Sequence, residues 1–128
     1  MIHLDTNVLI ALADPGSNES QIVSEWVKRG EVLGISSVAW TEFLCGPVLL
    51  RQRQTAQAML EQPEPLTDDD AALAAYLFNK LGRRRGSLLD CMIAAIAIRS
   101  NAHLYTLNIE DFAPMEALGL SLYRGDYS

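Results

Sequence analysis

Four acidic side chains stand in or beside apolar stretches, where a protein core would normally exclude them. They are Asp5, Glu42, Asp90 and Asp111. Asp90 is the most unusual, because it is the only charged residue in segment 88–98, whose composition predicts a buried helix. Burying an unpaired carboxylate costs roughly several kcal/mol, so Asp90 needs a proton, a basic partner or a bound cation.

Carboxylates that converge on one point repel one another, and a bound divalent cation relieves that repulsion. Ligands made only of oxygen suit Mg²⁺ or Mn²⁺, whereas zinc is disfavoured because Cys and His residues are not closely spaced. The alternative is that each acid acts locally, with Asp5 and Asp90 at helix starts and Glu42 paired with an arginine. The residue types alone support a shared metal site and these separate roles equally.

The first ten residues form a junction typical of a functional site. Residues 2–4 predict a short strand that ends at Asp5, and apolar residues resume at Val8. In open α/β sheets, ligands gather beyond the carboxyl ends of the strands. Thr6 and Asn7 are candidate caps of the helix that follows, and the alternative is that Asp5 merely caps that helix, which the local sequence alone favours.

Short strands alternate with helices, which predicts an α/β fold: a three-layer α/β/α sandwich around a short, mainly parallel central sheet. We expect a single domain over residues 1–128. The predicted strands are residues 2–4, 32–35, 102–106 and 118–123, with a brief one at Leu66. The predicted helices follow Asp5 and then cover about 18–29, 38–44, 48–61, 67–82, 88–98 and 108–112.

The composition is typical of a soluble globular protein, with 49% hydrophobic and 20% charged residues. No apolar run reaches the roughly 18 to 20 residues that span a bilayer, and no basic segment precedes the first apolar run as in a signal peptide. We therefore expect a cytoplasmic protein without membrane contacts, whose Cys45 and Cys91 are buried and reduced. The net charge of −6 argues against a general nucleic-acid coat protein, but not against an enzyme that binds phosphodiesters through metal ions.

Several other polar and aromatic residues have structural interpretations. Residues 68–70 are three aspartates after Thr67, and we interpret them as a solvated helix start, since acids in the first turn suit the helix dipole. His3 and His103 are expected to be structural. The aromatic residues expected in the core are Trp26, Trp40, Phe43 and Phe112.

Four segments in this order resemble the motifs of one family. They are LDTNVLI at 4–10, WTEF at 40–43, LDCMIAA at 89–95 and TLNIEDF at 106–112. Together they resemble a PIN domain, and most closely the VapC-type toxin ribonucleases of type II toxin–antitoxin pairs in bacteria and archaea. Each motif alone is weak, but the four cover the whole chain at the typical length of the family.

This resemblance implies a metal-dependent endoribonuclease with Asp5, Glu42 and Asp90 as its acidic core. Asp111 is expected to be the fourth acid, although many family members have an aspartate where this chain has Asn108. In the implied mechanism, these acids hold one or two Mg²⁺ ions, or Mn²⁺ in their place, while a water attacks the phosphate in line. Glu42 either holds a second ion or positions that water.

The resemblance also assigns supporting residues. Thr106 and Asn108 would line the site through hydrogen bonds, and Thr6 and Asn7 would orient the first aspartate or contact a metal-bound water. A basic loop precedes the helix that carries Asp90, and its side chains are Arg83, Arg84 and Arg85. This loop either contacts RNA phosphates or is simply solvated, and the sequence supports both equally.

The implied partners are an RNA substrate, a small cognate antitoxin that inhibits the enzyme, and a second copy in a homodimer. The surface for the antitoxin could be lined by Val48, Leu49, Leu50, Trp26 and Val27. Two alternatives are a PIN-domain nuclease that acts on DNA or in RNA processing without an antitoxin, and a non-catalytic PIN scaffold. A haloacid-dehalogenase-type phosphotransferase is disfavoured, because Asn7 stands where that family has its second aspartate.

Overall fold

A four-stranded parallel sheet forms the centre of the molecule. The computed structural model describes residues 1–125. Its strands are β1 (Ile2–Leu4), β2 (Leu33–Gly34), β3 (His103–Tyr105) and β4 (Ser121–Leu122), which lie in the order β2–β1–β3–β4. All three neighbouring pairs are parallel. The sheet, flanked by helices, confirms the predicted α/β class, and the single domain stays a prediction.

Seven α-helices and one 3₁₀-helix connect these strands within residues 1–125. They are α1 (Thr6–Ala11), α2 (Asn18–Lys28), α3 (Ser37–Cys45), α4 (Leu50–Met59), α5 (Asp68–Lys80), α6 (Leu88–Arg99), α7 (Ile109–Phe112) and the 3₁₀-helix Ala113–Leu118. The predicted helices are all present, with ends that differ by a few residues. A helix with the length and apolarity to cross a membrane is absent from this part of the chain.

The start of α1 distinguishes the candidate caps. Asp5 is the N-cap, with extended backbone angles and a carboxylate that accepts a hydrogen bond from the Thr6 amide at 2.9 Å. Thr6 and Asn7 were wrong as candidate caps, because Thr6 is already the first helical residue, and the alternative cap, Asp5, is the one observed. Asp5 therefore both ends β1 and caps α1, so its backbone is fixed from both sides.

Strand β1 and helix α6 both place several of their residues in the core. All three residues of β1 are buried, as expected for a central parallel strand covered on both faces. Burial lowers the pKa of His3 to about 4, and His103 is half-buried. The buried residues of α6 are Cys91, Ile93, Ala94, Ala95, Ile96 and Ala97. The aromatic core prediction is confirmed, since Trp26, Phe43 and Phe112 are buried and Trp40 packs against the core half-buried.

Two smaller expectations were wrong for local reasons. Cys45 is exposed, because α3 ends there at Gly46, whereas Cys91 is buried as predicted. The brief strand at Leu66 is absent, and a single parallel bridge joins Glu64 to Ser36 instead. The prolines on either side of Glu64 have no amide hydrogen, so the pairing cannot extend along the segment.

Asp70 differs from the two aspartates before it. Asp68 and Asp69 are exposed as predicted, whereas only 1% of the surface of Asp70 is exposed. Its two carboxylate oxygens lie 2.9 and 3.0 Å from Nε of Arg99, and one of them accepts a hydrogen bond from the Thr67 amide at 2.9 Å. The interpretation of a solvated helix start was therefore wrong for Asp70, which ties the start of α5 to the end of α6.

Candidate active site

Asp5 lies at the carboxyl end of β1, facing the end of β3. Its amide donates a hydrogen bond to the Tyr105 carbonyl at 2.9 Å, which extends the pairing of the two strands. Only 5% of its surface is exposed, and its carboxylate accepts hydrogen bonds from the Thr6 amide and, at 2.7 Å, from the Thr106 hydroxyl. Burial raises the pKa of Asp5, against the opposing effect of these two hydrogen bonds. The carboxylate is thus held in one orientation.

Thr106, Asn7 and Asn108 form a polar frame around Asp5. The Thr106 hydroxyl accepts a hydrogen bond from the Asn108 amide at 3.0 Å and a longer one from the Asn7 side chain at 3.5 Å. The Asn7 side-chain oxygen accepts a hydrogen bond from the Leu107 amide at 3.1 Å. These contacts fasten the loop after β3 to the start of α1. Asn108 takes part through its backbone amide, and it is exposed.

Replacing Thr106 with valine is expected to lower the free energy of unfolding by about 1–2 kcal/mol. Valine keeps the shape of the side chain but leaves the buried Asp5 carboxylate without its hydroxyl donor. Denaturant titration at neutral pH measures the change. Thr106→Ser is the matched control, because it keeps the hydroxyl, and an equal loss in both variants would contradict this role for the hydrogen bond.

Glu42 lies on the exposed side of α3, next to the start of α1. The Thr6 hydroxyl is 3.3 Å from Oε1 of Glu42 and 3.0 Å from the Ala39 carbonyl, so Thr6 links α1 to α3. Burial raises the pKa of Glu42, the negative charge of Asp5 raises it further, and the Thr6 hydroxyl acts in the opposite direction. Glu42 and Asp5 therefore share one electrostatic environment.

Asp90 lies in the first turn of α6 and is partly buried. Its pKa rises from the ordinary value of 3.8 to about 6, first because of burial and then because of the charges of neighbouring acids. Those acids are Asp5, Asp111 and Glu42, in decreasing order of effect, while the positive charge of Arg84 opposes them. The fold thus brings the four acids singled out in the sequence close enough to interact through their charges.

Asp111 and Asn108 occupy different places in the segment after β3. Asp111 is in α7, its carboxylate is half-exposed, and its Oδ1 lies 3.5 Å from a guanidinium nitrogen of Arg84. Asn108 precedes α7 without a side-chain cap. Asp111 is therefore the residue of this segment that adds a negative charge near Asp90, and its role as a metal ligand stays a prediction.

A model of the PIN domain family matches residues 2–115, which is most of the chain. The chain belongs to the PIN domain family. The family predicted from the four sequence motifs is confirmed by this match. No curated protein matches the sequence.

Solved toxin–antitoxin structures share the fold of this PIN domain. VapBC2 from Rickettsia felis, bound to a DNA fragment from its promoter, has a TM-score of 0.77 and 22% identity over 98% of this chain and 100% of that chain. A toxin–antitoxin complex from Klebsiella pneumoniae has a TM-score of 0.69 and 26% identity over 88% of this chain and 91% of that chain. VapC20 from Mycobacterium tuberculosis, a toxin that cleaves the sarcin–ricin loop, has a TM-score of 0.65 and 18% identity over 97% of this chain and 99% of that chain.

The acids of this PIN domain fit a hard divalent cation by their chemistry. All four offer carboxylate oxygens, and a cation would relieve the repulsion that raises the pKa values of Asp90 and Glu42. Within residues 1–125, no three Asp, Glu, His or Cys side chains are close enough together to enclose one ion. Coordination would therefore require side-chain rotation, for which the exposed Glu42 and the half-exposed Asp111 have room.

The three arginines of the basic loop have different surroundings. The Arg83 guanidinium lies over the Phe78 ring, 5.3 Å from its centre, and donates to the Asn79 side chain. Arg84 contacts Asp111, as described above. Arg85 makes neither an ion pair nor a side-chain hydrogen bond with any residue in the range 1–125. The sequence alone does not distinguish these three arginines. The contact between Arg84 and Asp111 joins residues 27 positions apart, so no local pattern predicts it.

Proposed function

We propose that this protein is a Mg²⁺-dependent endoribonuclease, able to use Mn²⁺, and the toxin of a toxin–antitoxin pair. The observation that carries the proposal is the placement of Asp5, Glu42, Asp90 and Asp111 beyond the carboxyl end of the sheet, near enough for their charges to interact. Membership of the PIN domain family supports nuclease activity. The structural likeness to VapC20, which cleaves the sarcin–ricin loop, supports RNA as the substrate.

In this proposal Asp5, Asp90 and Asp111 hold the cation, which supplies positive charge against the phosphodiester when bound. Asp5 is the most rigid of these ligands, because the Thr6 amide and the Thr106 hydroxyl hold its two oxygens. The proposal does not use either histidine.

Glu42 is the acid best suited to handle the attacking water. It is exposed at the rim of the cluster, and its raised pKa makes it a stronger base than an ordinary glutamate. A carboxylate oxygen of Glu42 accepts the proton as the water oxygen bonds to phosphorus and the bond from phosphorus to the leaving oxygen breaks. The leaving oxygen then takes a proton from solvent.

The proposed partners are a small antitoxin and a second copy of the chain, in the cytoplasm. Support for the antitoxin comes from the structural neighbours, which include toxin–antitoxin complexes. Val27, Leu49 and Leu50 are exposed by 50%, 52% and 70%, which leaves apolar area for such a partner to cover. Trp26 is only 3% exposed, so its predicted place on this surface was wrong, because it packs in the core.

Removal of metal is expected to abolish RNA cleavage reversibly. The protein is purified through a denaturing step and refolded so that a bound antitoxin is removed, and it is then incubated with a mixed RNA pool. We expect discrete fragments with Mg²⁺, none with EDTA, and the same fragments when Mg²⁺ is restored, as gel electrophoresis would measure. DNA of the same sequences is the control and should stay intact.

Two results would contradict the proposal. Cleavage that persists in EDTA would exclude the proposed role of the acids. Well-folded protein that cleaves no RNA with either Mg²⁺ or Mn²⁺ would favour the non-catalytic scaffold.

A further inference from the structure

The loop between α5 and α6 is held rigidly by its own backbone. Arg83 has a φ of 55°, in the left-handed region that costs energy for a residue with a side chain. That conformation is stabilised by a hydrogen bond from its amide to the Phe78 carbonyl at 2.9 Å and by its contacts with Phe78 and Asn79. Arg83 thus attaches the loop to α5, so the backbone of the next residue, Arg84, begins at a fixed position.

The backbone of Arg84 is also fastened to α6. Its carbonyl accepts hydrogen bonds from the Ser87 amide at 3.1 Å and from the Ser87 hydroxyl at 2.7 Å. Ser87 is buried and directly precedes α6, whose first turn contains Asp90. The loop therefore places Arg84 in a constant relation to Asp90, while its side chain extends to Asp111.

The contact between Arg84 and Asp111 is suited to exchange. The two side chains are 59% and 41% exposed and 3.5 Å apart, so water and salt screen the pair and it is weak. A guanidinium is also a strong ligand for phosphate, which it can bind through two parallel hydrogen bonds. Arg84 is thus near enough to neutralise an acid of the cluster and free enough to leave it.

We propose that Arg84 is a positioning residue that holds Asp111 while the acidic cluster lacks a cation and moves to an RNA phosphate when cation and RNA are bound. This inference rests on the proposed nuclease function. It separates Arg84 from the other two arginines of the loop, because Arg83 is engaged on α5 and Arg85 has no partner among residues 1–125. Arg84 then competes with the cation for Asp111 before the substrate binds.

The first test measures Mn²⁺ binding, by electron paramagnetic resonance of free Mn²⁺, to the wild type and to Arg84→Ala, Arg84→Lys and Arg85→Ala. Arg85→Ala is the matched control, since it removes the same charge from the neighbouring position. We expect Arg84→Ala to bind Mn²⁺ about two- to fivefold more tightly than Arg85→Ala, which is what an exposed ion pair contributes. The Mn²⁺ affinity of Arg84→Lys should lie between those of Arg84→Ala and Arg85→Ala, because lysine keeps the charge but not the fork geometry of the guanidinium.

The outcomes of this test separate the two proposals. If Asp90→Asn lowers Mn²⁺ affinity while Arg84→Ala and Arg85→Ala bind equally, the role of Arg84 is overturned and the proposed function stands. If neither the wild type nor Asp90→Asn binds Mn²⁺, both are overturned. Thermal unfolding of each variant distinguishes a change at the site from loss of the fold.

The second test measures binding of a labelled single-stranded RNA of mixed sequence, with Ca²⁺ replacing Mg²⁺, over a range of salt concentrations. A lost phosphate contact lowers the slope of log affinity against log salt by about 0.7 for a single strand. We expect this decrease in Arg84→Ala and not in Arg83→Ala, whose guanidinium lies on Phe78. An unchanged slope in Arg84→Ala would overturn the proposed move of Arg84 to RNA.

Discussion

Replacing Asp90 with asparagine is expected to lower RNA cleavage by about a hundredfold or more while making the metal-free protein more stable at pH 8. The loss follows from the proposal, because Asp90 is the acid whose charge interacts with those of the other three. The gain follows from the same cluster, because asparagine removes one of four repelling charges and keeps nearly the same shape.

The sign of the stability change comes from the raised pKa of Asp90. The folded protein binds this proton more tightly than the unfolded chain, so the wild type loses stability as pH rises from about 4 to about 6. Each pKa unit corresponds to about 1.4 kcal/mol, and after discounting for partial exposure we expect Asp90→Asn to be about 1–2 kcal/mol more stable at pH 8. The two proteins should converge near pH 4.

Denaturant titration in EDTA at pH 4 and pH 8 measures this difference, and fragment formation with Mg²⁺ measures the activity. Glu110→Gln is the matched control, because it removes one negative charge next to Asp111 at an exposed position. We expect it to change stability by less than about 0.5 kcal/mol. If Asp90→Asn were less stable than the wild type at pH 8, the repulsion inferred from its pKa would be absent.

Asp90 could be identified from the sequence because nothing local explains it. An acid within an almost wholly apolar helix is costly to bury, and that anomaly singled out Asp90, although the residue types alone left a shared site and a local role equally open. Asp5 was found in a similar way, from its place at the end of a strand. Its second role as the cap of α1 was one of the alternatives left open, because a cap depends on which residue first becomes helical.

Asp70 was misinterpreted because the residue that pairs with it is distant in the sequence. The two exposed aspartates before it suggested solvent, and Thr67 suggested an ordinary helix start. The burial of Asp70 depends on Arg99, which is 29 residues away on another helix. The contact of Arg84 with Asp111 was missed for the same reason: a pairing between distant elements has no periodic pattern.

Replacing Asp70 with alanine is therefore expected to lower the free energy of unfolding by about 2–3 kcal/mol, or the melting temperature by about 10 °C. The change removes the hydrogen bonds from Arg99, which join α5 to α6, and the hydrogen bond from the Thr67 amide, which caps α5. Arg99 is one-third exposed, so water and the Pro65 carbonyl can still solvate its charge, which keeps the loss below that of a fully buried pair.

The pH dependence of the wild type gives a second measure of this pair. Burial opposes ionisation of Asp70, but the hydrogen bonds from Arg99 and Thr67 outweigh it and lower its pKa below 3.8. The unfolded chain therefore binds this proton more tightly, and the stability from the pair is present above pH 3.8 and lost as pH falls below it. In Asp70→Ala, the free energy of unfolding should no longer show this decrease as pH falls below 3.8.

Asp69→Ala distinguishes the buried pair from the general effect of acids at a helix start. Asp69 is exposed in the same turn of α5, so its loss should change stability by no more than about 0.5 kcal/mol, the contribution of one exposed charge to the helix dipole. Asp70→Ala should still cleave RNA below its melting temperature. In the wild type the Asp70 carboxylate is bound to Arg99 and is not one of the four acids of the proposed site. Equal stability losses in the two variants would mean that Asp70 acts only as a first-turn acid. Loss of cleavage by folded Asp70→Ala would mean that the tie between α5 and α6 also positions Asp90.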